Sequence, residues 1–169
     1  MKVYWLTALI FGSLCSCWHH PSFKEEICSK YVGQKIVYFP DSDIVNKDMA
    51  NSSRHKLIHT MDITCSSCVH EIENNQSFIE EVKKHHISFE IIGYCSYKDS
   101  IFSEVLLQNP FYFDFYRKFR SRNNLKDENI TRTFLLDGKT ILLVGDMKDA
   151  AFRKQVIQYI KKAYCSGYS

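Results

Sequence analysis

Two cysteines spaced C-x-x-C, Cys65 and Cys68, stand in the run His59-Thr-Met-Asp-Ile-Thr-Cys65-Ser-Ser-Cys68-Val-His-Glu-Ile72. Two intervening residues bring the sulfurs within bonding reach. Such a pair can cycle between dithiol and disulfide, hold half of a metal site, or form a structural bridge. A thiol at the start of a helix meets unpaired amide N–H groups and the positive end of the helix. Its pKa can then fall from about 8.5 to roughly 3.5–7.5. Cys65, the first and more exposed cysteine, is the expected nucleophile, and Cys68, one helical turn on, the resolving cysteine. A bridge kept for stability alone would close a very small loop and contribute little on loop-entropy grounds.

Histidines flank this run: His55, His59 and His70, with His85-His86 further along. A zinc or copper centre on the two cysteines and a histidine is an alternative, but there is no second C-x-x-C to complete it. His59 alternates on a strand and reads as a packed residue, with a candidate role as proton acceptor for Cys68. The redox reading needs no metal and no cofactor beyond the cysteines.

The pair must be positioned by what surrounds it. Lys56–Asp62 alternates as a strand, and Val69, Ile72, Ile79 and Val82 recur at helical spacing, which puts the cysteines at a strand-to-helix junction. Ile87–Tyr94 is a second strand, ending at Cys95. A helix is expected over 99–108, stopped near Pro110, followed by a short strand over Phe111–Phe115 and a basic helix over Tyr116–Leu125. Thr133–Asp137 and Thr140–Val144 flank a tight Asp137-Gly138 turn, the clearest hairpin signal in the chain. Asp149–Tyr164 closes the chain as an amphipathic helix with Phe152, Val156, Ile157 and Ile160 on one face. Gln34–Pro40 reads as a short strand and 41–54 as polar loop.

The first 16 residues lie apart from this pattern. Lys2 precedes an apolar run, Val3 to Leu14, that is too short to span a bilayer but right for a signal peptide. It ends in Leu14-Cys15-Ser16-Cys17, which resembles a bacterial lipobox with Cys17 as the lipidated cysteine. Residues 1–16 are therefore expected as signal peptide, 17–33 as lipid-anchored tether with a short helix, and 34–165 as one folded domain. The chain has 169 residues with 45% hydrophobic and 14% aromatic content, enough to fill a core. Its 22 basic and 19 acidic residues nearly cancel, which gives no footing for nucleic-acid binding. In an oxidising compartment the remaining cysteines could pair, and Cys28 with Cys165 is one arrangement. The run Arg117–Arg122 reads as a solvated helix face, and Phe111–Tyr116 as half-buried strand packing.

Strand, C-x-x-C, helix, strand, helix, hairpin and final helix together resemble the thioredoxin fold. With the leader, the lipobox and Thr133-Phe-Leu-Leu-Asp137-Gly138, the sequence is similar to thioredoxin-like lipoproteins of Bacteroides-type bacteria over about residues 31–164. The resemblance implies an α/β fold with a central mixed sheet flanked by helices. It also implies thiol–disulfide exchange in the cell envelope, facing the periplasm from a lipid anchor in the inner or outer membrane. The implied partners are exported proteins with thiols or disulfides, or a membrane electron donor. Two departures stand out. Ser66-Ser67 replace the family's Gly-Pro between the cysteines, and Arg132 stands where its cis-proline is expected. If Arg132 points at the pair, its charge would favour the Cys65 thiolate. The alternative is a non-catalytic binding module on the same fold, with the C-x-x-C structural or metal-binding.

Overall fold

The computed structural model describes residues 22–40, 44–45, 53–94 and 106–165. The expected signal peptide, Cys15, the expected lipidation site Cys17, the first residues of the expected tether, most of the 41–54 loop and Cys95 lie outside them. So does most of the helix expected over 99–108, of which Leu106–Gln108 form a 3-10 turn.

The elements in chain order are α1 (Phe23–Ser29), β1 (Ile44–Val45), β2 (His55–Asp62), α2 (Ser66–Asn74), α3 (Gln76–Lys84), β3 (Ser88–Tyr94), β4 (Phe111–Phe113), α4 (Lys118–Arg122), β5 (Thr133–Asp137), β6 (Thr140–Gly145) and α5 (Ala150–Cys165). They build one mixed sheet in the order β1-β4-β3-β2-β5-β6. β2, β3 and β4 run parallel, while β5 and β6 form the antiparallel hairpin expected from Asp137-Gly138. Gly138 takes φ 57°, a left-handed value that glycine adopts without strain.

Period-two alternation gives the sheet two apolar faces. Leu57, Met61, Phe89, Ile91, Phe111 and Leu135 meet Ile72, Ile79, Val82, Phe152, Val156 and Ile160 from α2, α3 and α5. Ile58, Ile92, Tyr112, Phe134 and Leu136 meet Ile27, Tyr31, Phe119 and Leu125 from the α1 and α4 side. Ser22 and Glu25 form a capping box that starts α1, and Ile27 carries this helix into the core beneath the sheet.

Several local expectations are corrected. The helix after Cys65 is two helices: Asn75 (φ −111°, ψ 16°) breaks it, donating its amide to the Glu71 carbonyl and accepting from Arg153. Asn competes for backbone groups with its own side chain, which is why the periodicity continues but the helix does not. Residues 34–40 run extended along the hairpin but form only one β-bridge, Lys35 to Thr140. Asn123 binds this segment instead, accepting from the amides of Val37 and Tyr38 and so replacing a strand ladder.

The basic helix is shorter than the pattern suggested, and it is not simply a solvated face. Arg120 is buried and donates to the carbonyls of Thr131 and Lys126 and to the Thr131 hydroxyl. Cys28 is a free thiol whose pKa burial pushes up, and the side chain of Cys165, its expected partner, lies outside the described ones. Among the described residues no helix is long and apolar enough to cross a membrane.

Candidate active site

Parallel strands place their carboxyl ends at one edge of a sheet, where chain ends and ligands meet. β2 ends there at Asp62, and its carboxylate accepts from the Thr64 amide at 2.9 Å and the Thr64 hydroxyl at 2.6 Å, forming a tight turn. Ile63 is buried and donates its amide to the Tyr94 carbonyl. This turn delivers Cys65 in an extended conformation to the N-cap of α2, where the amides of Cys68 and Val69 bond its carbonyl. Cys65 and Cys68 stand as free thiols, half-exposed at the junction.

Their chemistry is unequal. The Cys65 thiol is pulled below its ordinary pKa by hydrogen bonding from Cys68, by the Ser67 hydroxyl 3.0 Å from its sulfur, and by amides of the first helical turn. The Cys68 thiol is pushed up, first by burial and then by its hydrogen bond to Cys65 and that thiolate's charge. The proton therefore leaves Cys65 more readily than Cys68.

Below Cys68 lies a cluster of charges that sequence patterning did not single out. Glu71, three residues further along α2, is almost fully buried. One of its oxygens receives the Arg132 guanidinium and, at 3.2 Å, the Lys148 ammonium. Its other oxygen has no hydrogen-bond partner. Arg132 also binds Asp146 at 3.1 and 3.2 Å. Burial opposes its charge, but the two carboxylates hold its pKa well above the ordinary value. Asp146 is likewise kept low against the effect of burial by Arg132.

Arg132 sits immediately before β5, as the sequence suggested, and every described peptide bond is trans. Its charge does not act where it was expected to. It lowers Cys68 and is spent on Glu71 and Asp146, while the causes of the low Cys65 pKa are Cys68 and Ser67.

His59 does not fit the proton-acceptor role. It is fully buried, and its Nδ1 lies 2.9 Å from the Thr133 hydroxyl. That hydroxyl oxygen also accepts from the Met147 amide, and its second lone pair and its own proton let it either accept from Nδ1 or donate to it. Nε2 faces the free oxygen of Glu71 at 3.9 Å, without a bond. Burial, with Arg132 adding to it, drives the imidazole pKa down to about 3. It is a neutral group and a weak base. Three other histidines are engaged elsewhere: His55 with Tyr164, His70 with Glu73 and His85 with Glu81. Among the described residues no group of three or more His, Cys, Asp or Glu is gathered as a metal site would require.

No protein-family model and no curated protein matches the sequence. Solved structures do match the architecture. The thioredoxin domain of a thiol-disulfide oxidoreductase from Bacteroides vulgatus superposes with a TM-score of 0.51 at 10% identity, over 68% of this chain and 84% of that one. The fold is thioredoxin-like. A chain from Chlorobium tepidum assigned as thiol:disulfide interchange protein DsbE gives 0.53 at 16% identity, over 78% of this thioredoxin-like chain and 96% of its own. A solution structure from Bacteroides vulgatus, assigned as a thiol-disulfide oxidoreductase, gives 0.51 at 15%, over 69% and 76%.

Proposed function

We propose that this chain is a thiol-disulfide oxidoreductase of the cell envelope, tethered through a lipid on Cys17 and exchanging disulfides with exported proteins. The observation that carries this reading is the inequality of the two thiols at the head of α2: Cys65 lowered and accessible, Cys68 raised and one turn inside. The named activities of the structural relatives support it, as does the leader ending in Leu14-Cys15-Ser16-Cys17.

In the reducing direction the Cys65 thiolate attacks one sulfur of a partner disulfide. A bond forms between Cys65 and that sulfur, and the other leaves as a thiolate. Cys68 then gives up its proton and attacks the Cys65 sulfur. The mixed disulfide breaks, the partner departs with two reduced sulfurs, and Cys65–Cys68 is oxidised by two electrons. The Glu71 carboxylate, buried one turn below Cys68 with an unpartnered oxygen, is the acceptor for that proton. The neutral His59 ring lies beside that free oxygen, its Nε2 3.9 Å away. Oxidation of a partner is the same sequence reversed.

A Cys68→Ser chain, unable to resolve, would accumulate mixed disulfides with envelope proteins, separable on a non-reducing gel, and a Cys65→Ser chain would not. Loss of labelled palmitate from a Cys17→Ala chain would test the anchor. A second reading, a binding module that does no exchange, draws on the β5 approach: the amides of Thr131 and Arg132 are consumed by Asp127 and Gly145. It predicts that neither variant traps anything.

A further inference from the structure

Within the aromatic run, Phe111 and Tyr112 are buried in the sheet and Phe113 stacks on Phe115 at 5.6 Å. Tyr116 does the opposite: it is 83% exposed, with the Lys118 ammonium over its ring 5.7 Å from the centre. Tyr116 (φ 65°) and Arg117 (φ 53°) are consecutive non-glycine residues in the left-handed region, which L side chains avoid and which persists only where the surroundings enforce it. The enforcement is visible. The amide of Asp114 donates to the Gly93 carbonyl, and its carboxylate accepts from the Phe119 amide at 2.9 Å. The Arg117 guanidinium lies 4.2 Å from the centre of the Tyr94 ring and donates to Glu128 at 2.8 Å.

This held turn is at the reactive edge. β4 runs parallel to β3, and β3 to β2, so residues 114–117 emerge at the same edge as Cys65. Tyr94, on which Arg117 rests, pairs in register with Asp62 and feels the charge of Cys68. A mixed disulfide fixes the two cysteine Cα atoms about 5.5–6 Å apart, so a captured chain must lie against this rim. On the β5 approach the amides of Thr131 and Arg132 are already bonded, so a partner finds no free main-chain donor at those two residues. Side-chain contact at the rim can supply grip that those two amides do not.

Resting on the exchange reading above, we infer that Tyr116 is the docking contact for the polypeptide segment carrying the partner's cysteine. It favours segments with an aromatic or large apolar side chain beside that cysteine. The turn is built to present the ring before a partner arrives, which lowers the ordering cost of binding.

The test compares wild type, Tyr116→Ser and Tyr116→Phe in exchange with three disulfides: hydroxyethyl disulfide, and two disulfide-linked peptides differing only in Trp or Gly beside the cysteine. Wild type and Tyr116→Phe should react roughly two- to tenfold faster with the Trp peptide, the range of one aromatic pair. Tyr116→Ser should treat the peptides alike, and all three chains should react equally with hydroxyethyl disulfide. A Trp preference that survives in Tyr116→Ser, or is absent from wild type while hydroxyethyl disulfide still reacts, overturns the docking role alone. Wild type inert toward hydroxyethyl disulfide would overturn the exchange reading and the docking role with it.

Discussion

The hydroxyl of Ser67 stands 3.0 Å from the sulfur of Cys65, inside the C-x-x-C itself. It can donate to the thiolate, and with Cys68 it accounts for the lowered Cys65 pKa. Ser67→Ala should raise that pKa, read from thiolate absorbance against pH. Its reaction with a small disulfide at pH 7 should slow by less than the loss of thiolate, because a more basic sulfur is a better nucleophile with a Brønsted coefficient of about 0.4–0.5. An unchanged titration would remove the hydroxyl from the account.

Arg132 is neutralised by Glu71 and Asp146, and its removal takes the ion pair from Asp146 and leaves Glu71 with Lys148 alone. Arg132→Ala should cost about 3–5 kcal/mol of folding stability in denaturant titration. The Cys65 titration should stay where it is, while that of Cys68 rises, since the guanidinium now favours the Cys68 thiolate. A large rise at Cys65 would mean that the arginine acts on the nucleophile directly.

Glu71 is assigned the proton of Cys68. In Glu71→Gln the capture of a partner disulfide by Cys65 should proceed normally, and resolution by Cys68 should slow about a hundredfold, the low end of a general base's contribution. Stopped-flow resolution of a preformed mixed disulfide separates the two steps. Equal resolution rates would place the acceptor elsewhere.

His59 makes stability depend on pH. Its folded pKa is about 3, whereas an unfolded histidine titrates near 6.5. Between these values the unfolded chain binds a proton that the folded chain refuses, so stability is full above pH 6.5 and falls as pH drops toward 3. At pH 5 the loss from this residue is about 2 kcal/mol. Asp137, Asp146 and Asp149, held low by their partners, lose their contribution only at lower pH. Denaturation midpoints at pH 7.5 and 5 should differ in wild type by more than in His59→Gln, and equal slopes would contradict the buried neutral imidazole.

The architecture was legible where local chemistry and tertiary packing agree. Asp137-Gly138 between two apolar runs forms the hairpin, the alternation of 56–62 and 87–94 forms the parallel pair, and the cysteines sit at the strand-to-helix junction. The site beneath them was not legible. Glu71 lies on a helix among other acids, and periodicity cannot say that this one points inward to Arg132. Arg120 was hidden in the same way, because only the fold brings the carbonyls of Lys126 and Thr131 within its reach. His59 was placed correctly on a strand, but its ring partner is Thr133, 74 residues away. Residues paired across the sheet carry the information that a linear reading lacks.

The central claim is that Cys65 and Cys68 exchange electrons with other thiols, and the reduction potential of the pair tests it most directly. The domain would be equilibrated against glutathione or dithiothreitol buffers and the free thiols trapped for mass spectrometry. A single two-electron transition between roughly −120 and −270 mV is the predicted result. A pair that stays oxidised below about −300 mV, as structural disulfides do, or that never closes, would contradict it.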